Sequence, residues 1–406
     1  MTIDWTSIRQ DFPILQQEIY GHPLIYFDSA ATSQKPRNVI EALVGYYERD
    51  NANVHRGLHE LSGRSTHAYE ESRRKVAQYL GAGEEEIIFT RGTTEGINLV
   101  AQSWGRANVK AGDVILVTEM EHHSNLVPWQ LLAQQTGATL KHIPVTDDAE
   151  LDLDQVDALL TEQVKLFAFV HVSNSVGTIN PAKELIAKAK AVGATTLLDG
   201  AQSAGHMPVN VSDLDCDFYA FSGHKMCGPT GIGALYARAS VLADMPPWQG
   251  GGEMIVRVQL DSSVYKDGPA RFEAGTPDIS GAIVLGEAID YLEALGREHI
   301  FQHDSELTQY ALQRMDEVKG LRIFGPRANR GALVAFTLEG AHAHDLTTYA
   351  NSFGLALRGG HHCTQPLMRK FKVPSTTRAS FYFYNTREEI DRMIEILQAA
   401  HAFFAP

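Results

Sequence analysis

Positive charge is scarce in this 406-residue sequence, which has 35 Lys and Arg residues against 49 Asp and Glu and a formal net charge of −14 at pH 7. Proteins that bind nucleic acids or anionic membrane surfaces need clustered Lys and Arg residues to contact phosphates. The composition therefore argues against both classes. Short basic stretches such as ESRRK are expected on solvated helix faces.

Long apolar stretches are also missing. No uninterrupted apolar run approaches the roughly 18 residues that are needed to span a bilayer. The first residues, MTIDWTSIRQDFPIL, include early acidic side chains and lack the apolar core of a signal peptide. We therefore expect neither a membrane protein nor a secreted one.

Cysteine is limited to Cys216, Cys227 and Cys363, with no CxxC spacing. An odd number of unclustered thiols is typical of a reducing compartment, so a cytoplasmic location is expected. Cys216, within DLDCDFYAF, is expected to be a small buried apolar residue.

Between residues 85 and 240, short apolar runs alternate with amphipathic patterns. Strands are predicted for EIIFT, DVILVTE, ATLKHIPV, VKLFAFVHV, TTLLD and DFYAFSG, and helices for TEGINLVAQSW, SNLVPWQLLAQQTG, LDLDQVDALL and NPAKELIAKAKAVG. Strands that are apolar on both faces and alternate with helices indicate an α/β fold with a parallel sheet covered on each side. After residue 285, amphipathic helices separated by short strand-like runs indicate an α+β region.

Ligands of such sheets bind beyond the carboxyl ends of the strands, so the polar residues that follow each strand are site candidates. Thr93 and Thr94 open a helix after EIIFT, where hydroxyls and free backbone N–H groups suit a phosphate, although Thr is also an ordinary helix cap. Asp199 ends an apolar strand, and Lys225 follows the next strand. A buried ion pair of these two residues is one interpretation, but it is usually costly.

A lysine that forms a Schiff base is the better interpretation of Lys225. Together, the lysine, an acid that keeps a ring nitrogen protonated and a phosphate site predict pyridoxal 5'-phosphate (PLP) as cofactor.

The stretch RGGHHCTQP, residues 358–366, permits three interpretations of its cysteine: a metal ligand, an unreactive thiol or a nucleophile. Adjacent side chains do not easily converge on one ion, and no second Cys or His cluster has ligand spacing, so no metal is predicted. The unreactive thiol stays open on these residues alone.

Eight segments occur in an order that is similar to a known family: NVHRGLHELS, TRGTTEGINLVA, EMEHHSNLVPWQ, HVSNSVGTINP, DGAQSAGH, DFYAFSGHKMCGPTGIG, RFEAGTPD and RGGHHCTQPLM. They resemble the class V aminotransferase-type PLP enzymes, most closely the SufS-like (type II) cysteine desulfurases, over nearly the whole chain. The resemblance implies PLP fold type I. Residues 21–285 would form a large domain with a mainly parallel seven-stranded sheet between helices, and residues 1–20 and 286–406 a smaller α+β domain that carries the Cys363 loop.

The resemblance also implies how the cofactor is held. Lys225 would carry PLP covalently and move the Cα proton of the substrate, Asp199 would pair with the pyridinium nitrogen, and His122 would stack on the ring. Asn174 and Gln202 would bind the phenolic oxygen. For His122, an ordinary hydrogen bond at a strand end is the competing interpretation.

Phosphate contacts are implied for Thr93, Thr94, Ser222 and His224, with Thr276 of EAGTP arriving from the partner subunit of a homodimer. Arg378 would bind the substrate carboxylate, for which a planar guanidinium is suited, with Arg358 and Asn174 as further substrate contacts. A surface position is the alternative for Arg378. His55 of NVHRG is a candidate for proton transfer.

Cys363 narrows the range of reactions that a PLP site of this kind is expected to catalyse. In the desulfurase reaction, Cys363 would take sulfur from L-cysteine as a persulfide and leave L-alanine, supplying iron–sulfur cluster assembly. A neighbouring cation favours the thiolate, and His361, His362 and Arg358 are candidates for it. The short histidine-rich approach to Cys363 implies a dedicated SufE-like acceptor protein.

Three alternative functions stay open. The first is selenocysteine lyase, the second is a different class V aminotransferase-type enzyme, and the third is a sulfur carrier that keeps only the fold. Two residues depart from the family pattern. Gly359 replaces the more usual Thr, and Cys227 stands where an aromatic residue is common.

Overall fold

The computed structural model describes residues 3–404. Its strands are β1 (Glu18–Ile19), β2 (His22–Pro23), β3 (Ile25–Tyr26), β4 (Ile87–Thr90), β5 (Val114–Thr118), β6 (Thr139–Ile143), β7 (Val164–Val170), β8 (Thr195–Asp199), β9 (Phe218–Ser222), β10 (Gly233–Ala237), β11 (Ile255–Val258), β12 (Ser263–Tyr265), β13 (Leu321–Phe324), β14 (Leu333–Leu338), β15 (Leu355–Ala356), β16 (Arg358–Gly360) and β17 (Thr376–Ser380).

The helices of the same range are α1 (Trp5–Arg9), α2 (Arg37–Gly45), α3 (Glu60–Leu80), α4 (Thr93–Val100), α5 (Arg106–Asn108), α6 (Val127–Thr136), α7 (Leu153–Leu159), α8 (Ala182–Ala191), α9 (Val211–Leu214), α10 (Ala239–Asp244), α11 (Ile279–Leu295), α12 (Arg297–Met315), α13 (Ala343–Asn351), α14 (Gln365–Lys370) and α15 (Arg387–Phe404). All strands and helices predicted between residues 85 and 222 are present, with shifts of a few residues at their ends.

The large sheet has seven strands in the order β4-β10-β9-β8-β7-β5-β6. Strand β10 is antiparallel to both of its neighbours, and the pairs β9–β8, β8–β7, β7–β5 and β5–β6 are parallel. Strand β10 reverses direction after a connection of ten residues (223–232) without a crossover helix, whereas parallel neighbours need a crossover of a dozen or more residues. The predicted mainly parallel, seven-stranded sheet is confirmed.

Both faces of this sheet are buried, as the apolar strands predict. Along β7, Leu166 and Ala168 pack into one core, whereas Phe167 and Phe169 pack into another on the opposite face. Successive side chains point to opposite faces of a strand, so helices must cover both sides. The functional residues are thereby displaced to the loops at the carboxyl edge.

The second sheet is antiparallel, in the order β13-β14-β17-β16, and α12, α13 and α15 pack near it. Ile25 and Phe27 pack into the core of this C-terminal part, and β3 pairs with β15. The boundary that the sequence predicts at residues 285 and 286 lies within α11. The division into residues 21–285 and 1–20 plus 286–406 stays a prediction, and its first two and last two residues lie outside the described range.

None of the helices between residues 3 and 404 combines the length and the apolar character that a membrane crossing requires.

Candidate active site

A cavity of about 460 Å³ lies at the carboxyl edge of the large sheet, between this sheet and the β16–β17 region. Loops that follow β5, β7, β8 and β9 line it, together with the start of α4. Twelve of the predicted site residues contribute to its wall: Thr93, Thr94, His122, Asn174, Asp199, Gln202, Ser222, His224, Lys225, Arg358, Cys363 and Arg378. Residues that are up to 285 positions apart in the sequence therefore share one site.

Lys225 lies in a 3₁₀ turn, Gly223–Lys225, directly after β9. Four donors fix the carbonyl oxygen of the preceding residue, His224: the backbone N–H and the hydroxyl of Ser33, the hydroxyl of Thr32 and the ammonium group of Lys35, at 3.0–3.1 Å. This segment near the N-terminus thus holds the turn from which Lys225 projects.

The charges of Lys225 and Asp199 are both disfavoured by burial. Burial lowers the pKa of Lys225 to about 8, although the Asp199 carboxylate acts in the opposite direction. Burial likewise raises the pKa of Asp199, against a hydrogen bond from the Ala201 N–H (2.9 Å) and the charge of Lys225. Desolvation outweighs the mutual attraction. A lysine of this kind holds about a tenth of its amine unprotonated at pH 7, far more than an ordinary lysine, and the unprotonated form is the one a nucleophilic amine requires.

His122 is a neutral ring at pH 7. Burial, and then the positive charge of Lys225, lower its pKa to about 3. Its Nδ1 accepts a hydrogen bond from the Ser124 N–H (3.1 Å), which fixes the turn after β5.

Glu121 also holds the turn that follows β5. Its carboxyl accepts hydrogen bonds from the Thr118 hydroxyl (2.5 Å), the Asn125 amide (2.6 Å) and the Val170 N–H (3.0 Å). Burial raises the pKa of Glu121 to about 8, even though these three donors favour its ionised form. The carboxyl therefore ties the end of β5 to the end of β7.

Hydroxyl groups and a helix N-terminus form one end of the cavity. Ser222 accepts a hydrogen bond from the Thr93 N–H (2.9 Å) and is 2.8 Å from its hydroxyl, and the hydroxyls of Thr94 and Ser124 are 2.7 Å apart. Gly92, which precedes α4, has a φ of +137°, and a side chain there would meet the Ser222 hydroxyl at 2.9 Å. Burial lowers the pKa of His224 to about 4, so this end offers neutral donors to an anion.

Two arginines line another part of the cavity wall, and an aspartate behind them pairs with both. Arg358 and Arg378 face each other on β16 and β17. Arg378 is 2% exposed and donates to the Asn174 carbonyl (2.7 Å) and to Asp28 Oδ1 (3.1 Å), while Arg358 is 3.5 Å from Asp28 Oδ2. The Nε of Arg378 and the Oδ1 of Asn174 are buried and have no partner within the chain. The surface position considered for Arg378 is therefore wrong.

Cys363 is exposed and lies on the rim of the cavity. The charges of Lys225 and Arg378 are close enough to interact with its thiol. His362 does not supply the positive charge expected of it, because burial lowers its pKa to about 3 and its Nε2 lies 3.0 Å from the Thr376 hydroxyl. Among residues 3–404, no group of three or more potential metal ligands occurs.

The two departures from the family pattern have local explanations. A Cβ atom at Gly359 would lie 2.8 Å from the carbonyl oxygen of Ala343, so glycine allows α13 to approach β16 closely. Cys227 is fully buried, and burial raises the pKa of its thiol to about 12. It is protonated at neutral pH and is not nucleophilic.

His55 and Thr276 are not among the residues that line this cavity. His55 is exposed and lies 2.8 Å from Glu70, whereas Thr276 lines a separate depression with Trp248 and Gln249. Their assignments to the site stay predictions.

The sequence analysis missed Asp28, Glu121 and His123. Asp28 follows β3, which lies before the region in which strands were predicted. Glu121 and His123 stand beside His122 at the end of β5, so the rule that located His122 could also have located them.

The wall of the cavity fits PLP. It combines a lysine with a lowered pKa, an acid at a strand end, a helix N-terminus with hydroxyl donors, and buried polar atoms of Asn174 and Arg378 that have no partner within the chain. Lys225, Asp199 and the Thr93–Thr94 turn would hold its aldehyde, ring nitrogen and phosphate, respectively. PLP supplies the electron withdrawal that weakens bonds at the Cα and Cβ atoms of an amino acid.

Comparison with known proteins shows the family to which the chain belongs. Residues 25–393 match the family Aminotransferase class-V. The chain is 53% identical over 403 residues to a probable cysteine desulfurase of Synechocystis sp., covering 98% of this chain and 96% of that protein.

Two solved structures are also similar. The apo structure of cysteine desulfurase from Thermococcus onnurineus NA1 is 42% identical, with a TM-score of 0.94 and 99% of each chain covered. The Escherichia coli cysteine desulfurase CsdA in its S-sulfonic acid form is 38% identical, with a TM-score of 0.93 and all of each chain covered. By sequence, structure and site, the chain belongs to the class-V aminotransferase family of PLP enzymes, among its SufS- and CsdA-like type II members.

Proposed function

We propose that the protein is a PLP-dependent cysteine desulfurase that converts L-cysteine to L-alanine and retains the sulfur on Cys363 as a persulfide. One observation carries this proposal. The exposed thiol of Cys363 lies on the rim of the same cavity that contains Lys225, Asp199 and Arg378. A PLP site that only moved amino groups would have no use for a thiol at this position.

The substrate is positioned by its carboxylate and its amine. Arg378 and Arg358 present guanidinium groups from adjacent strands, and a carboxylate that binds between them would share their charge with Asp28. Lys225, with its pKa near 8, is suited to remove and return a proton at the Cα atom. The acidic side chain of Asp199 lies at the end of β8, where the protonated ring nitrogen of the cofactor would lie.

The sulfur step balances without an external oxidant. The Cys363 thiolate attacks the substrate sulfur, the bond between that sulfur and Cβ breaks, and its electron pair remains on the carbon side. Cβ then takes up a proton and becomes the methyl group of alanine, while Cys363 holds the sulfur as a persulfide. The side chains of Arg378 and Lys225 are close enough to Cys363 to interact with it electrostatically.

Mass spectrometry of the holoenzyme after incubation with L-cysteine tests the proposal. We expect one added sulfur atom on the peptide that contains Cys363, together with alanine. Cys363→Ser should retain PLP but lose both products, whereas Cys216→Ala, which removes a buried thiol, should retain both. Undiminished persulfide and alanine formation by Cys363→Ser would contradict the proposed nucleophile.

The proposal extends to the biological setting. The persulfide sulfur would pass to a SufE-like acceptor protein for iron–sulfur cluster assembly in the cytoplasm. A homodimer is supported by Thr276, which is exposed and does not line the cavity of its own chain, and by the fully exposed Leu58, three residues after His55. In such a dimer, His55 and Thr276 of one chain would complete the site of the other chain.

A further inference from the structure

The Cys363 loop has an unfavourable backbone conformation. His362 and Cys363 have φ values of +52° and +57°, in the left-handed region that residues other than glycine rarely adopt. Two consecutive residues of this kind persist only where surrounding contacts hold them. The position of the Cys363 thiol therefore depends on whatever fixes this loop.

Contacts from two loops at the edge of the large sheet hold it. The Asn174 amide donates to the His362 carbonyl (2.7 Å), and the hydroxyls of Ser175 and Thr364 are 2.7 Å apart. Thr376 on β17 contacts the His362 ring (3.0 Å), and His123 supplies two further contacts. Its backbone N–H donates to the Cys363 carbonyl (2.8 Å), and its Nε2 accepts a hydrogen bond from the Gln365 N–H (3.2 Å).

The contact between His123 and Gln365 depends on protonation, because an imidazole nitrogen accepts a hydrogen bond only while it carries no proton. His123 is half-buried, and burial, followed by the nearby His361, lowers its pKa. The groups that face it are His361 and Cys363 on the loop and His122 on its own turn, with ring centroids 6.3 Å apart. The neutral, hydrogen-bond-accepting form is thus favoured at pH 7.

We propose that His123 is a positioning residue that anchors the Cys363 loop through a hydrogen bond which only its neutral imidazole accepts. The consequence for sulfur transfer rests on the proposed function, whereas the anchor itself does not. Since the folded state favours the neutral ring, the anchor is present above the ordinary histidine pKa of about 6.5 and is lost as the pH falls through the lower pKa of the folded protein. Protonation turns Nε2 of His123 into a hydrogen-bond donor, which then faces a second donor, the Gln365 N–H.

Hydrogen exchange of the holoenzyme tests this anchor. His123→Gln places an amide oxygen near the position of Nε2 and does not titrate, whereas His123→Phe keeps a planar ring and has no acceptor. His142→Phe is the matched control, because His142 is exposed on the edge strand β6. In the peptide that contains Gln365, we expect about threefold to tenfold faster exchange in His123→Phe at pH 8, corresponding to the loss of one hydrogen bond. His123→Gln and His142→Phe should match the wild type there.

The pH dependence separates an anchor from simple packing. The exchange rate of the wild type, divided by that of His123→Gln at the same pH, should rise from about 1 at pH 8 towards the threefold to tenfold level as the pH falls through the lowered pKa of His123. A ratio that does not change with pH would overturn the proposal, and it can be measured even if His123→Phe does not fold. Equal exchange in the wild type and a folded His123→Phe would also overturn it.

A kinetic readout links the anchor to the chemistry. At pH 8, His123→Phe should lower kcat for alanine formation about threefold to tenfold with an unchanged KM for L-cysteine, since Arg378 is not disturbed. His123→Gln should restore kcat. An unchanged kcat in His123→Phe would refute the link to catalysis. If Cys363→Ser shows the proposed function to be wrong, the exchange measurements still decide whether the anchor exists.

Discussion

Lys225 of the cofactor-free protein is expected to titrate near pH 8. Burial displaces its pKa from the ordinary value of 10.5 to about 8, and the Asp199 charge only partly compensates. At pH 7, a pKa of 8 leaves about 9% of the amine unprotonated, against about 0.03% for an ordinary lysine. At pH 7, Lys225 should therefore present about 300 times more unprotonated amine than an ordinary lysine.

Competitive acetylation measures this difference directly. The cofactor-free protein is treated with a trace of acetic anhydride between pH 6 and 11, and acetylation of Lys225 and of the exposed Lys110 is followed by peptide mass spectrometry. The rate at Lys225 should reach half of its maximum near pH 8, well below the ordinary lysine pKa of about 10.5. Occupation by PLP should protect Lys225 alone.

Asp199→Asn provides the control for the sign of the effect. Removal of the carboxylate takes away the charge that favours the ammonium form, so the pKa of Lys225 should fall further, by about 1 unit. Titration of Lys225 near pH 10.5 in the wild type would refute the reasoning that burial dominates. A rise of its pKa in Asp199→Asn would refute the assigned sign of the Asp199 charge.

Two substitutions outside the reacting groups test how the site is supported. Asp28→Asn should lower the free energy of unfolding by about 2 to 3 kcal/mol, because it leaves the buried guanidinium of Arg378 without a countercharge; an unchanged urea denaturation curve at pH 7 would contradict this. Gly200→Ala should lower both stability and PLP retention, since its Cβ atom would lie 2.0 Å from the ring of Tyr219. Gly63→Ala is the control, because nothing lies within 4 Å of the new Cβ atom; its free energy of unfolding should change by no more than about 1 kcal/mol. Equal behaviour of the two alanine variants would exclude the steric explanation.

The layout of the large sheet could be predicted because its signals are local. Apolar runs such as those of β7 and β8 are short and are bounded by helical patterns, which leaves few topologies. The residues that follow the strand ends, including Asp199 and Lys225, must then meet at one edge. The individual roles of these residues came from the resemblance to a family.

The contacts that support the site could not be predicted in the same way. Arg378 pairs with Asp28, which lies 350 positions earlier in the chain, and no local pattern records such a pair. His362 is neutral because its ring is buried, and burial is a property of tertiary packing. His55 and Thr276 do not line the cavity of the single chain, so no contact within the described residues decides the roles predicted for them.

Gly359 has an evolutionary consequence. Because its missing side chain permits the contact between β16 and the Ala343 carbonyl at the start of α13, a change to Thr would require that helix to move first or at the same time. The effect of a threonine at position 359 thus depends on the helix against which it is placed. A cysteine loop that carries threonine there should function in this protein only if a matching α13 is transferred with it.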